Sequence, residues 1–576
     1  MKRTIIFTLS VLLILCFILS SCTIDFNNKT SLSVPVVEVD VMGNASWSVV
    51  KNASGYSYKI NNGDIVKTFG NSVKIEDGQY IQVRADGKGN YLDSAFSEPI
   101  YYRITDCEHM DADEDGACDK CSLTIAINLT FLSINDLHGK FVDTNEQPGV
   151  DELTTYLKDL YRDNSREEIL LSTGDMWQGT VESSTNRGAL MTEWMNEVSF
   201  SAMALGNHEF DWGVDYITQN AQKANFPFIA INVRYKGAQL AGTTPSVIVE
   251  RKGFKVGIIG AIGNCRSSIS GEYNRDLQFI VGDELTQLVK DEATRLRAEG
   301  CRFIVYAIHE GPSYFGETNV NENGEVFYDM SLSDGYIDLV FEGHTHAKYV
   351  HQDYFGVYHI QSAAENRALS YSEVTVNLLT DEIMVKSAFN MLNTEYADED
   401  IEGDDVVNEI FEKYFEDSNP YTTVVGTASK TLYSDAVCDK VAELYYEVGK
   451  KKWGDKYDII LGGGFISLRT PYKVESGEVT YADLFAILPF DNTLVLGSIK
   501  GIKLKSNFIN TQNDRYHCYY DKSIVSSIED NRTYYVIVDT YTSNYYPNGI
   551  TEIARYTNGV YARDLLADYF RKIKVW

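Results

Sequence analysis

Ser201-Ala-Met-Ala-Leu-Gly-Asn207-His208-Glu-Phe-Asp211-Trp-Gly213 is a short apolar run that stops at a glycine and then presents an Asn, a His and an Asp within five positions. The run reads as a buried strand, and the glycine as the turn that ends it. Asn207 offers a carbonyl oxygen to a metal ion and His208 offers an imidazole to a reacting group. Asp211 can hold that imidazole in one tautomer.

Four other segments share this design: Ile134-Asn-Asp136-Leu-His138-Gly, Ser172-Thr-Gly-Asp175-Met-Trp, Ala307-Ile-His309-Glu-Gly and Phe341-Glu-Gly-His344-Thr-His346. Each follows an apolar run of the kind found in parallel sheets, at Leu129 to Ile134, Ile169 to Ser172, Phe303 to Ile308 and Ile337 to Phe341. Ligands of open α/β sheets sit beyond the carboxyl ends of the strands, so five such ends predict one pooled site. With His208 set aside, the set holds two Asp, one Asn and four His. Oxygen and imidazole donors in that ratio suit two divalent ions, Zn, Mn or Fe, sharing one carboxylate.

The five blocks, in this order, resemble those of the calcineurin-like metallophosphoesterases. Among these they are most similar to the 5′-nucleotidase family, which includes UDP-sugar hydrolases and 2′,3′-cyclic-nucleotide phosphodiesterases. The resemblance spans residues 124–576. It implies that Asp136, His138 and His346 bind a first metal, that Asp175 bridges, and that Asn207, His309 and His344 bind a second. His208, oriented by Asp211, would be a catalytic histidine outside the ligand set. The resemblance further implies a four-layer α/β/β/α sandwich. It also implies in-line attack on phosphorus by a hydroxide shared between the metals.

Met1-Lys-Arg followed by apolar residues to Leu19 reads as an export signal. The sequence Leu19-Ser-Ser-Cys22 looks like a bacterial lipobox, so Cys22 is expected to carry lipid and to tether the protein at the cell surface. A formal net charge of −31 disfavours nucleic-acid polymers and anionic membranes as partners of the bulk surface. It also means that an anionic substrate needs local positive charge at the site.

A tether at 23–31 precedes short alternating strands over 32–103, around Trp47, Tyr56 and Val83. These resemble a fibronectin type III or immunoglobulin-like sandwich. The joint at 104–123 holds Cys107-Glu-His109 and Cys118-Asp-Lys-Cys121, which suit a structural zinc. The Asp111-x-Asp113-x-Asp115-Gly between them mimics the start of a calcium loop, so zinc, calcium, a disulfide or nothing remain open. The metallophosphoesterase domain is expected at 124–395, with helices at Asp151 to Tyr161 and Glu284 to Ala298. An acidic hinge and linker helix at 396–420 then leads to a C-terminal α/β domain at 421–576.

There, Gly462-Gly-Gly464-Phe-Ile-Ser-Leu-Arg469 and Leu488-Pro-Phe490-Asp-Asn492 are similar to the family's substrate-binding segments. The similarity implies that Phe490 stacks on a base, that Asn492 contacts the substrate and that Arg469 meets an anionic group, with Tyr541 as a second aromatic. Where relatives tend to carry basic residues before the first helix of this domain, this chain reads Leu432-Tyr-Ser-Asp-Ala-Val-Cys438-Asp-Lys440. The expected activity is hydrolysis of nucleotides. Cyclic-nucleotide phosphodiesterase or UDP-sugar hydrolase activity is the enzymatic alternative, and a surface adhesion protein on the same scaffold is the non-enzymatic one.

Overall fold

The computed structural model describes residues 29–576 except 40–42, 104–109, 114, 120–123, 144–148, 163–165, 270–274, 313–317, 322, 397–400, 416–418, 470, 511–514, 546–548 and 557–558. Cys22, Cys107, His109 and Cys121 therefore lie outside the described residues. Two compact units divide the chain: residues 1–127 with 377–382, and residues 128–376 with 383–576.

In the first unit a three-stranded sheet (Val37–Val39, Asn44–Trp47, Ser72–Lys74) and a four-stranded sheet (Val66–Thr68, Gly55–Ile60, Tyr80–Asp86, Ile100–Tyr101) share one core. Alternation decides which side chains enter it. Ile81, Val83 and Ala85 are buried on one face of Tyr80–Asp86 and meet Trp47 and Tyr56. At the joint, Cys118 is buried, and the carboxylate oxygens of Asp111, Asp113 and Asp115 lie within 4.8 Å of one another.

The second unit begins with two sheets of the expected α/β/β/α architecture. One has seven strands in the order Thr243–Thr244, Phe228–Ile229, Ala202–Ala204, Glu167–Ser172, Ala126–Ile134, Ala368–Asn377 and Ile383–Leu392. The other has six, in the order Ser246–Arg251, Phe254–Ile262, Phe303–His309, Leu339–Glu342, Tyr358–Ser362 and Lys348–Gln352. The central strands are parallel and buried on both faces, which explains why they read as continuous apolar runs. Helices Asp151–Leu160, Ala189–Glu197 and Val214–Lys223 cover the outer face of the first sheet with Leu153, Leu157, Trp194 and Ile217. Helix Asp283–Ala298 covers the second with Leu285, Val289 and Leu296. Between the sheets, the rings of Phe131 and Phe303 approach to 5.4 Å.

The C-terminal part is a five-stranded mixed sheet ordered Tyr516–Tyr520, Ile459–Phe465, Thr533–Asp539, Leu494–Lys500 and Thr551–Arg555. Helices Ser434–Trp453 and Ala562–Ile573 pack on it through Val437, Val441, Leu566 and Phe570. Helix Tyr481–Ile487 starts in a capping box between Thr480 and Asp483, and its end delivers the chain to Leu488–Asn492.

Candidate active site

The carboxyl ends of five parallel strands meet, and the seven predicted donors meet with them. Asp136, His138 and His346 present ligand atoms within 4.8 Å of one another, as do Asp175, His309 and His344. Asn207 joins the second group, its Oδ1 lying 3.2 Å from His309 Nε2. Asp175 Oδ2 is also 3.2 Å from that nitrogen.

Backbone conformation carries the site's signature. Asp136, His138, Asp175, His344 and His346 all hold positive φ angles, between 50° and 73°. Side chains rarely adopt this left-handed region, and five neighbouring instances mark a constellation that the surrounding fold enforces. The turns also touch. A Cβ at Gly206 would lie 2.2 Å from Asp175 Oδ1, and one at Gly174 would lie 2.3 Å from Gly206 N, so both positions need glycine.

The donor chemistry fits divalent cations. His138 Nδ1 lies 2.9 Å from the Gln178 carbonyl and His309 Nδ1 lies 2.7 Å from the Thr173 carbonyl. A carbonyl only accepts, so in each ring Nδ1 donates and a neutral ring keeps its Nε2 lone pair for a ligand. His138 Nε2 and His346 Nε2 face each other at 3.0 Å, a spacing natural for two donors to one cation. Burial drives His138 and His344 down to about 3, so both rings are neutral. Burial also opposes charge on His309, but Asp175, Asp136 and Glu209 outweigh it and lift that ring to about 10. The same field favours a cation.

Beside this cluster, His208 Nδ1 lies 2.7 Å from Asp211 Oδ2, and the His208 backbone N–H donates to Asp175 Oδ1 at 2.8 Å. Burial would lower His208, yet the Asp211 and Asp175 carboxylates raise it to about 9. With Nδ1 held by Asp211, Nε2 is the ring nitrogen left to give up a proton.

Phe490 comes from the C-terminal part, and its ring lies 6.1 Å from that of His208 at an interplanar angle of 23°. The Arg469 guanidinium sits 5.5 Å from the Phe490 ring centre. His208, Asp211, Arg469, Phe490, Asn492 and Tyr541 all line one cavity of about 710 Å³. All four predicted substrate-binding residues therefore reach the cavity that contains the imidazole–carboxylate pair.

Sequence reasoning missed several groups. Phe465 lines the cavity and its ring is 5.6 Å from Tyr541, while Arg515 adds a second cationic side chain. Glu209, fully buried, accepts backbone N–H bonds from Asp175, Met176 and Gly206 at 2.9, 2.9 and 2.7 Å. Its place in Asn207-His208-Glu209 was visible, but its partners Asp175 and Met176 lie across another strand end. Gln361 is also fully buried. Its Oε1 accepts from Thr345 Oγ1 and the Ala347 N–H at 2.9 Å, and its Nε2 donates to the Gly343 carbonyl at 3.0 Å. One amide thus ties down the loop that carries His344 and His346. His359 is buried between Glu342 at 2.8 Å and Asp353 at 3.3 Å.

Residues 129–348 match the calcineurin-like phosphoesterase family, and residues 427–526 match the 5′-nucleotidase C-terminal domain. Together with the fold, these matches define the class: a hydrolase of phosphoric esters that uses divalent metals. Protein UshA of Yersinia enterocolitica is 25% identical over 423 residues, covering 66% of this chain and 75% of that protein. The snake venom 5′-nucleotidase of Crotalus adamanteus is 28% identical over 435 residues, covering 66% and 70%. The fold matches that of a 5′-nucleotidase precursor from Thermus thermophilus, with a TM-score of 0.56 at 19% identity over 78% of this chain and 97% of that one. The chain belongs to the calcineurin-like phosphoesterases that carry a 5′-nucleotidase C-terminal domain.

Proposed function

We propose that this phosphoesterase hydrolyses nucleotides, releasing phosphate and leaving the nucleoside in the cavity beneath Phe490. The observation that carries the reading is the position of the His208–Asp211 pair, between the cluster of Asp, Asn and His donors and an aromatic-lined cavity. Asp136, His138 and His346 would hold one divalent cation and Asn207, His309 and His344 another, with Asp175 shared. Such cations, when bound, supply Lewis acidity toward phosphoryl oxygens and make water nucleophilic at neutral pH.

The chain's own groups have separate work. Asp211 holds the His208 ring by Nδ1, which leaves the Nε2 proton for the leaving oxygen as negative charge develops there. Phe490 offers a flat apolar face to a base, and Arg469 above it offers charge to an anionic part of the substrate. Tyr541 and Phe465 also line the cavity. The relatives named as 5′-nucleotidases support a nucleotide over other phosphate esters.

Export and a lipid at Cys22 would place this activity at the cell surface. Among the described residues, no helix is long and apolar enough to cross a membrane.

The test is a panel of AMP, ADP, UDP-glucose, 2′,3′-cAMP and a bis-aryl phosphodiester, assayed with added Mn or Zn. Release of phosphate from AMP or ADP is expected. Preference for UDP-glucose or the diesters would replace the nucleotidase reading. His208→Ala is expected to lower kcat by about 10²–10⁴-fold while bound metal stays near the wild-type amount. Parallel loss of metal would make that imidazole a ligand and overturn its role.

A further inference from the structure

The cavity has a rim that neither the metal cluster nor the aromatic residues explain. Asp491, directly after Phe490, accepts from Arg187 Nη1 at 2.9 Å and also from Arg563 Nη2. The two arginines come from different elements. Arg187 belongs to the catalytic region, just before helix Ala189–Glu197, and Arg563 lies in the C-terminal helix Ala562–Ile573.

Each arginine is itself fixed. Arg563 is only 4% exposed. Its guanidinium lies 4.3 Å from the Phe485 ring centre and 4.7 Å from that of Tyr561. Its Nη1 donates to the carbonyls of Phe490 at 3.1 Å and Pro489 at 3.3 Å. Arg187 holds φ at 58°, and its carbonyl accepts from Asn220 Nδ2 at 2.8 Å. Its guanidinium lies 5.3 Å from the ring centre of Trp212, the residue after Asp211. One carboxylate therefore joins the loop bearing Phe490 to the segment bearing Asp211. Removing it would leave two cations facing an empty place, one of them nearly out of water.

We infer that Asp491 is a positioning residue for the substrate: clamped by Arg187 and Arg563, it sets where the Phe490 face lies against His208 and thereby the affinity for a planar leaving group. The inference rests on the nucleotide reading above for the identity of that group. It adds three residues to the recognition of the nucleoside, none of which needs to touch it.

The experiment reads binding apart from turnover. Adenosine is titrated by calorimetry into the full-length protein in the presence of EDTA, using wild type, Asp491→Ala, Asp491→Glu, Arg187→Ala and the Asp491→Ala/Arg187→Ala double variant. Thermal midpoints confirm that each variant is folded. Asp491→Ala and Arg187→Ala are each expected to weaken adenosine about tenfold, with the double variant within about twofold of either single one, because all three remove the same clamp. Asp491→Glu should recover to within about threefold of wild type. With metal added, KM for AMP should rise with the adenosine Kd while kcat changes less, and KM for p-nitrophenyl phosphate should move less than KM for AMP.

Unchanged adenosine affinity in Asp491→Ala, additive losses in the double variant, or an equal KM rise for p-nitrophenyl phosphate would each overturn the inference, as would a wild type that binds no adenosine. A wild type that binds adenosine but hydrolyses no nucleotide would instead refute the proposed function and leave the clamp standing.

Discussion

Glu209 offers a sharp test of how the metal cluster is built. Its carboxylate is fully buried and spans two strand-end turns: Oε2 accepts from Gly206 N and Asp175 N, and Oε1 from Met176 N. Asp175 stands at φ 55°, so these hydrogen bonds help hold a donor in a conformation it would not choose alone. Glu209→Ala orphans three buried N–H groups. At about 1–3 kcal/mol for each unsatisfied donor, and with water refilling part of the space, the expected loss is about 3–5 kcal/mol. In Glu209→Gln the amide oxygen can take the place of Oε2 and keep two of the three bonds, so the expected loss is about 1–3 kcal/mol. The loss is local and is read as amide hydrogen exchange at Asp175, Met176 and Gly206, alongside metal content after chelation and re-addition. Faster exchange at these amides and metal affinity at least about tenfold weaker in the Ala variant, with Gln intermediate, is the expected pattern. Wild-type exchange and metal binding in Glu209→Ala would refute the reasoning, as would a Gln variant as damaged as the Ala variant.

Two further outcomes follow from buried polar side chains near the site. Gln361→Ala frees the Gly343–Ala347 loop from three hydrogen bonds and is expected to weaken metal binding about 10–100-fold, measured by competition with a chelating dye; unchanged affinity would show that the loop holds itself. His359 governs a pH dependence of stability. Burial lowers it, but hydrogen bonds to Asp353 and Glu342 more than compensate and raise it to about 9. Its folded value is above its unfolded one, so the stabilisation is complete below about pH 6.5 and is lost as pH rises through about 9. The change is on the order of 3 kcal/mol, and the wild-type thermal midpoint should fall across pH 7 to 10 more steeply than that of His359→Gln. Parallel curves would remove His359 from the account.

Much of this protein was legible in the chain itself, for a physical reason. A parallel strand buried on both faces must be apolar throughout, and a ligand at its carboxyl end must follow directly, so Phe303 to His309 or Leu129 to His138 states both strand and donor in one short segment. The helix Asp283–Ala298 and the strands around Trp47 were equally readable, because periods of 3.6 and 2 are local properties. What only the tertiary structure decided is who meets whom. Glu209 reaches Asp175 across a neighbouring strand end, Gln361 reaches back to a loop some fifteen residues earlier, and Asp491 finds Arg187 from about three hundred residues away. No pattern along the chain encodes those distances. They exist because sheet order and helix packing bring separate segments to one point, where a charge or an amide must find its partner or lose the water it gave up. The left-handed turns at Asp136, His138, Asp175, His344 and His346 belong with them, since only the assembled fold holds such residues where their sequence alone would not.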